Sequence, residues 1–125
     1  MNEEIFQKVV DMIQPYLPNG WKQVILYVGY TAGSYTMKYY TKDSNGDISD
    51  CFSQEHINKA QLIKLFMSID KVLGAERNNL SDKNKWSVMT LVVSEDGKMK
   101  TEFDYTDISE NAIAYEKSWK EKYIV

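Results

Sequence analysis

Four carboxylates stand within nine residues of one another near the C-terminal end and form the densest group of chemically competent side chains: Glu102, Asp104, Asp107 and Glu110. Paired carboxylates can transfer protons or hold a hard metal ion. However, Glu102 and Asp104 alternate with apolar residues, which places them on the wet face of a strand. Asp107 and Glu110 have the spacing of a helix cap. Because no histidine stands near them, we favour a binding surface over a catalytic or metal site.

A second acidic segment strengthens this interpretation. Residues 43–55 contain four acidic side chains and no basic one, and residues 95–116 contain seven acidic side chains and two lysines. If the two segments approach each other in the fold, they form one negative surface that attracts a basic partner and supplies carboxylates for its Arg and Lys side chains. Tyr105 would add an aromatic anchor. The predicted partner-binding residues are Asp43, Asp47, Asp50, Glu102, Asp104, Tyr105 and Asp107.

Other catalytic or cofactor-binding patterns are weak. Cys51 and His56 are the only cysteine and the only histidine, and they are five residues apart. A nucleophilic pair needs hydrogen-bond contact between thiolate and imidazole. We instead expect Cys51 to end a strand as a half-buried thiol, and His56 to lie partly exposed in the first turn of a helix. The glycines stand singly at turns, so no phosphate-binding loop is predicted. We expect neither enzymatic activity nor a cofactor.

Length and charge narrow the class of protein. The 125 residues suit one domain, spanning residues 1–125. The net charge of -3 argues against nucleic acid as a direct ligand, because phosphate binding needs clustered positive charge. Residues 1–14 carry acidic side chains among apolar ones and do not resemble a secretion signal. No apolar run reaches the length of a membrane span, so we expect a cytoplasmic protein without a membrane partner.

The elements that position these residues follow from hydrophobic periodicity. The pattern predicts the order α-β-β-(β)-α-β-β-α, an α+β fold. Two hairpin groups form an antiparallel β-sheet, with N-terminal, central and C-terminal helices packed against it. The predicted helices cover residues 1–14, 53 or 57 to 73, and 109–122. The predicted strands cover residues 21–30, 34–42, 48–52, 86–93 and 99–105. In the last helix, Ile108, Ala112, Tyr115, Trp119 and Tyr123 form one apolar stripe.

Several short motifs occur in a familiar order. They are residues 20–24 (GWKQV) before a Tyr-rich hairpin, 96–98 (DGK), 103–107 (FDYTD) and 119–123 (WKEKY). In this order the sequence resembles the YezG-like immunity protein family, which includes the EsaG type of antitoxin. The signature positions matched are Phe103, Asp104, Tyr105, Asp107, Trp119 and Tyr123, of which we expect Trp119 and Tyr123 to lie in the core.

The resemblance implies a cytoplasmic antitoxin without enzymatic activity. Its partner would be a nuclease toxin that carries an LXG-type export domain and leaves by type VII secretion. The antitoxin would bind the nuclease domain and occlude it. Two other hypotheses remain open: a small metal-dependent hydrolase that uses Glu102, Asp104 and Asp107, and a structural module that self-associates through sheet edges.

Overall fold

The computed structural model describes residues 3–124 and contains the predicted elements in the predicted order. The helices are α1 (Glu3–Ile13), α2 (Lys59–Asn78) and α3 (Ala112–Tyr123). The strands are β1 (Trp21–Thr31), β2 (Ser34–Asp43), β3 (Ile48–Asp50), β4 (Val88–Ser94) and β5 (Met99–Asp104). Short 3-10 turns occupy Gln14–Tyr16, Cys51–Ser53 and Asp82–Asn84. The α+β class is therefore confirmed.

The five strands form one antiparallel sheet in the order β3-β2-β1-β4-β5. The long strand β1 lies at the centre, because its apolar side chains on both faces need cover from both sides. It pairs with β2 on one side and with β4 on the other. The strands β3 and β5 are the two edges of the sheet.

The helices cover opposite faces of this sheet. Val24 and Leu26 of β1 belong to a core formed with α1 and α2. Ile25 and Tyr27, which alternate with them, belong to a second core that includes Trp119 of α3. The arrangement therefore has three layers, with the sheet between the pair α1–α2 and the single helix α3. No described helix combines the length and apolar character needed to cross a bilayer.

The predicted start of α3 and the earlier of the two starts predicted for α2 were wrong, whereas the later one, at residue 57, lies next to the observed N-cap. Helix α2 begins after Asn58, not at Ser53, because Asn58 and Gln61 form a reciprocal capping box. Helix α3 begins after Asn111, and the predicted capping box of Asp107 and Glu110 is absent. Asp107 instead accepts a hydrogen bond from the Ser109 backbone N–H at 3.0 Å, which closes a turn before the helix.

Helix α2 also continues past its predicted end at residue 73, through Gly74, to Asn78. Gly74 is fully inside the helix, and a Cβ at this position would lie 2.8 Å from Oδ1 of Asp70. That oxygen accepts a hydrogen bond from the Tyr30 hydroxyl at 2.6 Å. The absence of a side chain at Gly74 therefore leaves room for the Tyr30–Asp70 hydrogen bond between β1 and α2, and the glycine does not end the helix.

Candidate functional site

Several of the predicted binding carboxylates lie on different parts of the sheet. Asp43 and Asp47 flank the turn between β2 and β3, whereas Glu102 and Asp104 lie on β5. Strands β2, β1 and β4 separate the two edge strands. With about 4.8 Å between neighbouring strands, the edges are about 19 Å apart. The turn carboxylates and those of β5 therefore do not adjoin each other. Asp50 and Glu116, one from each segment, do lie near a common side chain: after burial, the negative charges of both raise the pKa of Tyr40, which Lys38 lowers.

The carboxylates at the β3 edge mainly serve local structure. Asp43 Oδ1 accepts the backbone N–H groups of Asn45 and Asp47, at 2.9 and 3.0 Å, and so shapes the hairpin turn. Asp50 accepts the Phe52 N–H at 2.8 Å and forms an ion pair with Lys38 at 2.7 Å. Lys38 thereby offsets part of the negative potential at this edge.

The carboxylates of β5 face the last helix. The Tyr115 hydroxyl donates to Asp104 Oδ2 at 2.5 Å, and the Tyr123 hydroxyl donates to Glu102 Oε2 at 2.8 Å. The alternation along β5 was predicted correctly. The face expected to be wet is partly covered by α3, however, because the apolar stripe of this helix needs burial and the sheet offers it.

These contacts favour the charged forms of the carboxyl groups. The hydrogen bond from Tyr115, followed by that from the Thr106 N–H, lowers the pKa of Asp104 below its usual range. The hydrogen bond from Tyr123 and the nearby Lys100 lower the pKa of Glu102. The Ser109 N–H lowers the pKa of Asp107. All three side chains therefore remain negative at neutral pH and under mildly acidic conditions.

We define the acidic loop as residues 104–111, which connect β5 to α3. It carries Asp104, Asp107 and Glu110, and no basic residue occurs between Lys100 and Lys117. Within residues 3–124, neither Asp107 nor Glu110 forms an ion pair. The loop therefore presents uncompensated negative charge to solvent.

One large, exposed apolar side chain lies within the acidic loop and another lies just beyond its end. Tyr105 is 59% exposed, and Ile113 in the first turn of α3 is 89% exposed. Ile113 was not identified by sequence reasoning. The sequence does contain an indication of its exposure. Ile113 directly follows Ala112 and therefore lies beside, not on, the apolar stripe that runs from Ile108 to Tyr123. An apolar residue beside that stripe, next to a charged loop, indicates a surface role.

An open cleft adjoins the acidic loop. Tyr105, Asp107 and Ser109 line one side, and Arg77 and Lys85 line the other. Both cations have partners of their own. The Arg77 Nε donates to the Trp86 carbonyl oxygen at 2.6 Å, and Lys85 lies 3.9 Å from Asp82. Asp107, the loop carboxylate that lines this cleft, therefore remains available to groups from outside.

Cys51 and His56 serve structural roles. Cys51 is fully buried, not half-buried as expected, and burial raises the pKa of its thiol to about 11. His56 precedes α2 and donates from Nε2 to the Tyr16 carbonyl oxygen at 2.8 Å. Within residues 3–124, no three His, Cys, Asp or Glu side chains are grouped so that they could hold a metal ion.

The exposed acidic loop, with unpaired carboxylates beside large apolar side chains, is a surface suited to binding another molecule. The chain belongs to the YezG-like immunity protein family. The family model, described as immunity protein YezG-like, matches residues 2–124. No curated protein sequence matches the chain. The resemblance carried by the short motifs is therefore confirmed over nearly the whole sequence. Membership of this family suggests an immunity role, in which the chain binds a cognate toxin protein.

Proposed function

We propose that the chain is a cytoplasmic antitoxin that neutralises a secreted nuclease toxin of the LXG, type VII kind. It would act by binding alone, by covering the nuclease domain, and would transform no substrate itself. The observation that carries the proposal is the acidic loop, with its unpaired carboxylates between Tyr105 and Ile113, in a chain of an immunity family.

The negative charge of the acidic loop supports a nuclease as the partner. A nuclease binds a polyanion and therefore needs a basic groove. The acidic loop offers a complementary surface, which accelerates encounter and excludes acidic partners. Asp107 and Glu110 are exposed and can accept hydrogen bonds from Arg and Lys side chains. Glu102 and Asp104 would contribute negative potential from their positions beside α3.

The exposed apolar side chains support a stable contact. Charged rims mainly affect association rates, whereas aromatic and aliphatic anchors near the centre of an interface slow dissociation. Tyr105, near the start of the loop, and Ile113, just beyond its end, would provide two such anchors. Asp43, Asp47 and Asp50 lie at the far edge, so they would reach the toxin only through a second contact region.

Copurification with the cognate toxin, combined with a nuclease inhibition assay, tests the proposal. The informative variants are Tyr105→Ala, Glu110→Lys and Ile113→Ser, because the structure gives these side chains no hydrogen bond or ion pair within residues 3–124. We expect each to weaken toxin binding by about tenfold or more, as for central interface residues. The matched control is Asp47→Lys, an equally exposed charge reversal at the β3 edge, which should leave inhibition unchanged.

Different outcomes separate the parts of the proposal. Failure of the wild-type chain to copurify with the toxin would overturn toxin binding. Full inhibition by the combined Tyr105, Glu110 and Ile113 variant would remove the acidic loop from the interface. Loss of inhibition in Asp47→Lys alone would move the contact to the opposite edge.

A further inference from the structure

A second exposed surface lies on the outer side of α2, across the sheet from α3. Ile63 and Met67 are 48% and 52% exposed, and Phe52 is 47% exposed. Ile63 and Met67 are four residues apart, so they are neighbours on the helix surface. The ring of Phe52 lies 6.1 Å from that of the buried Phe66, which stands three residues after Ile63 and so neighbours Ile63 on α2. The three exposed side chains therefore form one apolar patch.

Basic side chains flank this patch. Lys59 lies on one side of the exposed arc of α2, and Lys64 and Lys71 lie on the other, as the 3.6-residue repeat requires. All three lysines are exposed, and none forms an ion pair within residues 3–124. We call these three lysines together with Phe52, Ile63 and Met67 the α2 patch.

The nearest acidic side chain on the helix does not neutralise the lysines. Asp70 is half-buried and accepts the hydroxyl hydrogen of Tyr30 at 2.6 Å, on the side that faces β1. The exposed Glu55, between Phe52 and Lys59 in the sequence, offsets part of this charge, and the three lysines still leave the α2 patch with a net positive charge, although the whole chain carries -3. This polarity is opposite to that of the acidic loop, so the two surfaces suit different partners.

We propose that the α2 patch is a docking surface for an acidic, amphipathic helical segment of a partner protein. Such a helix would place its apolar stripe on Ile63, Met67 and Phe52 and its flanking carboxylates beside the lysines. The positions of the lysines on both sides of the apolar arc match that pattern. The patch centres on Ile63 and Met67, whereas the acidic loop approaches α2 only near Arg77, towards the other end of the helix, so the two surfaces are separate.

Charge argues against the other occupants. A symmetric contact between the α2 patches of two copies would bring lysines together, and like charges across an interface oppose association. An anionic membrane would be repelled by the negative chain as a whole. In addition, clusters that bind such membranes typically contain about four to eight basic residues.

A peptide titration that is monitored through the backbone amide chemical shifts in NMR tests the proposal without the toxin. The probe is a synthetic helix with a leucine stripe flanked by glutamates, and its matched control has lysine in place of each glutamate. We expect saturable binding of the acidic peptide, with shifts confined to α2 and residues 51–53. Ile63→Ser with Met67→Ser should raise its Kd by about tenfold or more, since exposed anchors carry most of the affinity. Reversal of the lysines to glutamate should exchange the preference for the two peptides.

Other outcomes would contradict the proposed docking of an acidic helix, and each can be recognised in these measurements. Equal binding of both peptides, or shifts centred outside α2, would overturn the proposal. Self-association in sedimentation velocity that the double serine variant abolishes would assign the patch to a second copy. Binding to phosphatidylserine vesicles, lost on lysine reversal and without peptide binding, would assign it to a membrane. Ile113→Ser is the matched control on the other face and should change none of these measurements.

Discussion

Tyr115 of α3 and Asp104 of β5 join the last helix to the edge of the sheet through a hydrogen bond of 2.5 Å. The other oxygen of Asp104 accepts the Thr106 N–H at 2.9 Å. One carboxylate thereby holds both α3 and the start of the acidic loop. A substitution at Asp104 would disturb fold and surface together, so Glu110 is the better position for testing charge alone.

Tyr115→Phe should destabilise the fold in a pH-dependent way. The hydrogen bond lowers the pKa of Asp104 in the folded state. Its contribution is therefore complete above the unfolded carboxyl pKa of about 3.9, and it is lost as the pH falls through the lower folded value. We expect Tyr115→Phe to reduce the free energy of unfolding by about 1–2 kcal/mol at neutral pH, given the partial exposure of the pair.

Urea unfolding of wild type and Tyr115→Phe over a series of pH values measures this difference. The gap between the two proteins should narrow below about pH 4, where the carboxyl group becomes protonated. A gap that widens toward acid would contradict the assigned role of Asp104. Tyr105→Phe, which changes an exposed hydroxyl close by, is the control and should cost little at any pH.

Trp119 and Thr90 should show energetic coupling. The Trp119 indole N–H donates to the Thr90 hydroxyl at 2.8 Å, and both residues are buried between α3 and the sheet. Thr90→Val leaves that N–H without an acceptor, at an expected cost of about 1–3 kcal/mol. Trp119→Phe costs more because it also leaves a cavity. In the double variant we expect a coupling energy of about 1 kcal/mol in chemical denaturation. Strict additivity would show that the hydrogen bond does not stabilise the fold.

Gly74→Ala should destabilise the protein although alanine favours helices. The added Cβ would lie 2.8 Å from Asp70 Oδ1, which the Tyr30 hydroxyl holds in place. We expect a loss of about 1–3 kcal/mol, typical of overpacking. In an Asp70→Ala background the obstacle is gone, and the same substitution should stabilise by up to about 1 kcal/mol. Thermal or urea unfolding of the four proteins measures this reversal of sign, and its absence would contradict the explanation for Gly74.

Cys51 should resist thiol reagents in the native protein. It is fully buried, and burial raises the pKa of its thiol to about 11. Since the thiolate is the reactive form, modification at neutral pH should wait for unfolding and follow the unfolded fraction in denaturant. A Cys51→Ala, Ser53→Cys variant moves the thiol to an exposed position nearby and should react at once. Rapid labelling of native wild type would show that Cys51 is more accessible than the structure indicates.

Much of this architecture was predictable from local pattern. The two-residue repeat over β5 correctly separated Glu102 and Asp104 from Phe103, because side chains alternate across a strand whatever lies beside it. The stripe of α3 correctly identified Trp119 as core. The family resemblance rested on short motifs and was confirmed over residues 2–124. The earlier predicted start of α2, at Ser53, was wrong because Asn58 and Gln61 complete a capping box that Ser53 lacks.

Strand order and helix placement depend on non-local packing, which local pattern does not contain. The two-residue repeat of a strand predicts that Glu102 and Asp104 lie on the same face. However, α3 partly covers that face, and each carboxylate accepts a hydrogen bond from a tyrosine of α3. Local pattern left open whether the acidic segments meet: three strands separate β3 from β5, whereas Asp50 and Glu116 both lie near Tyr40. These positions follow from backbone hydrogen bonds between distant segments, and those bonds are chosen by burial of the whole core and not by the charge on either edge.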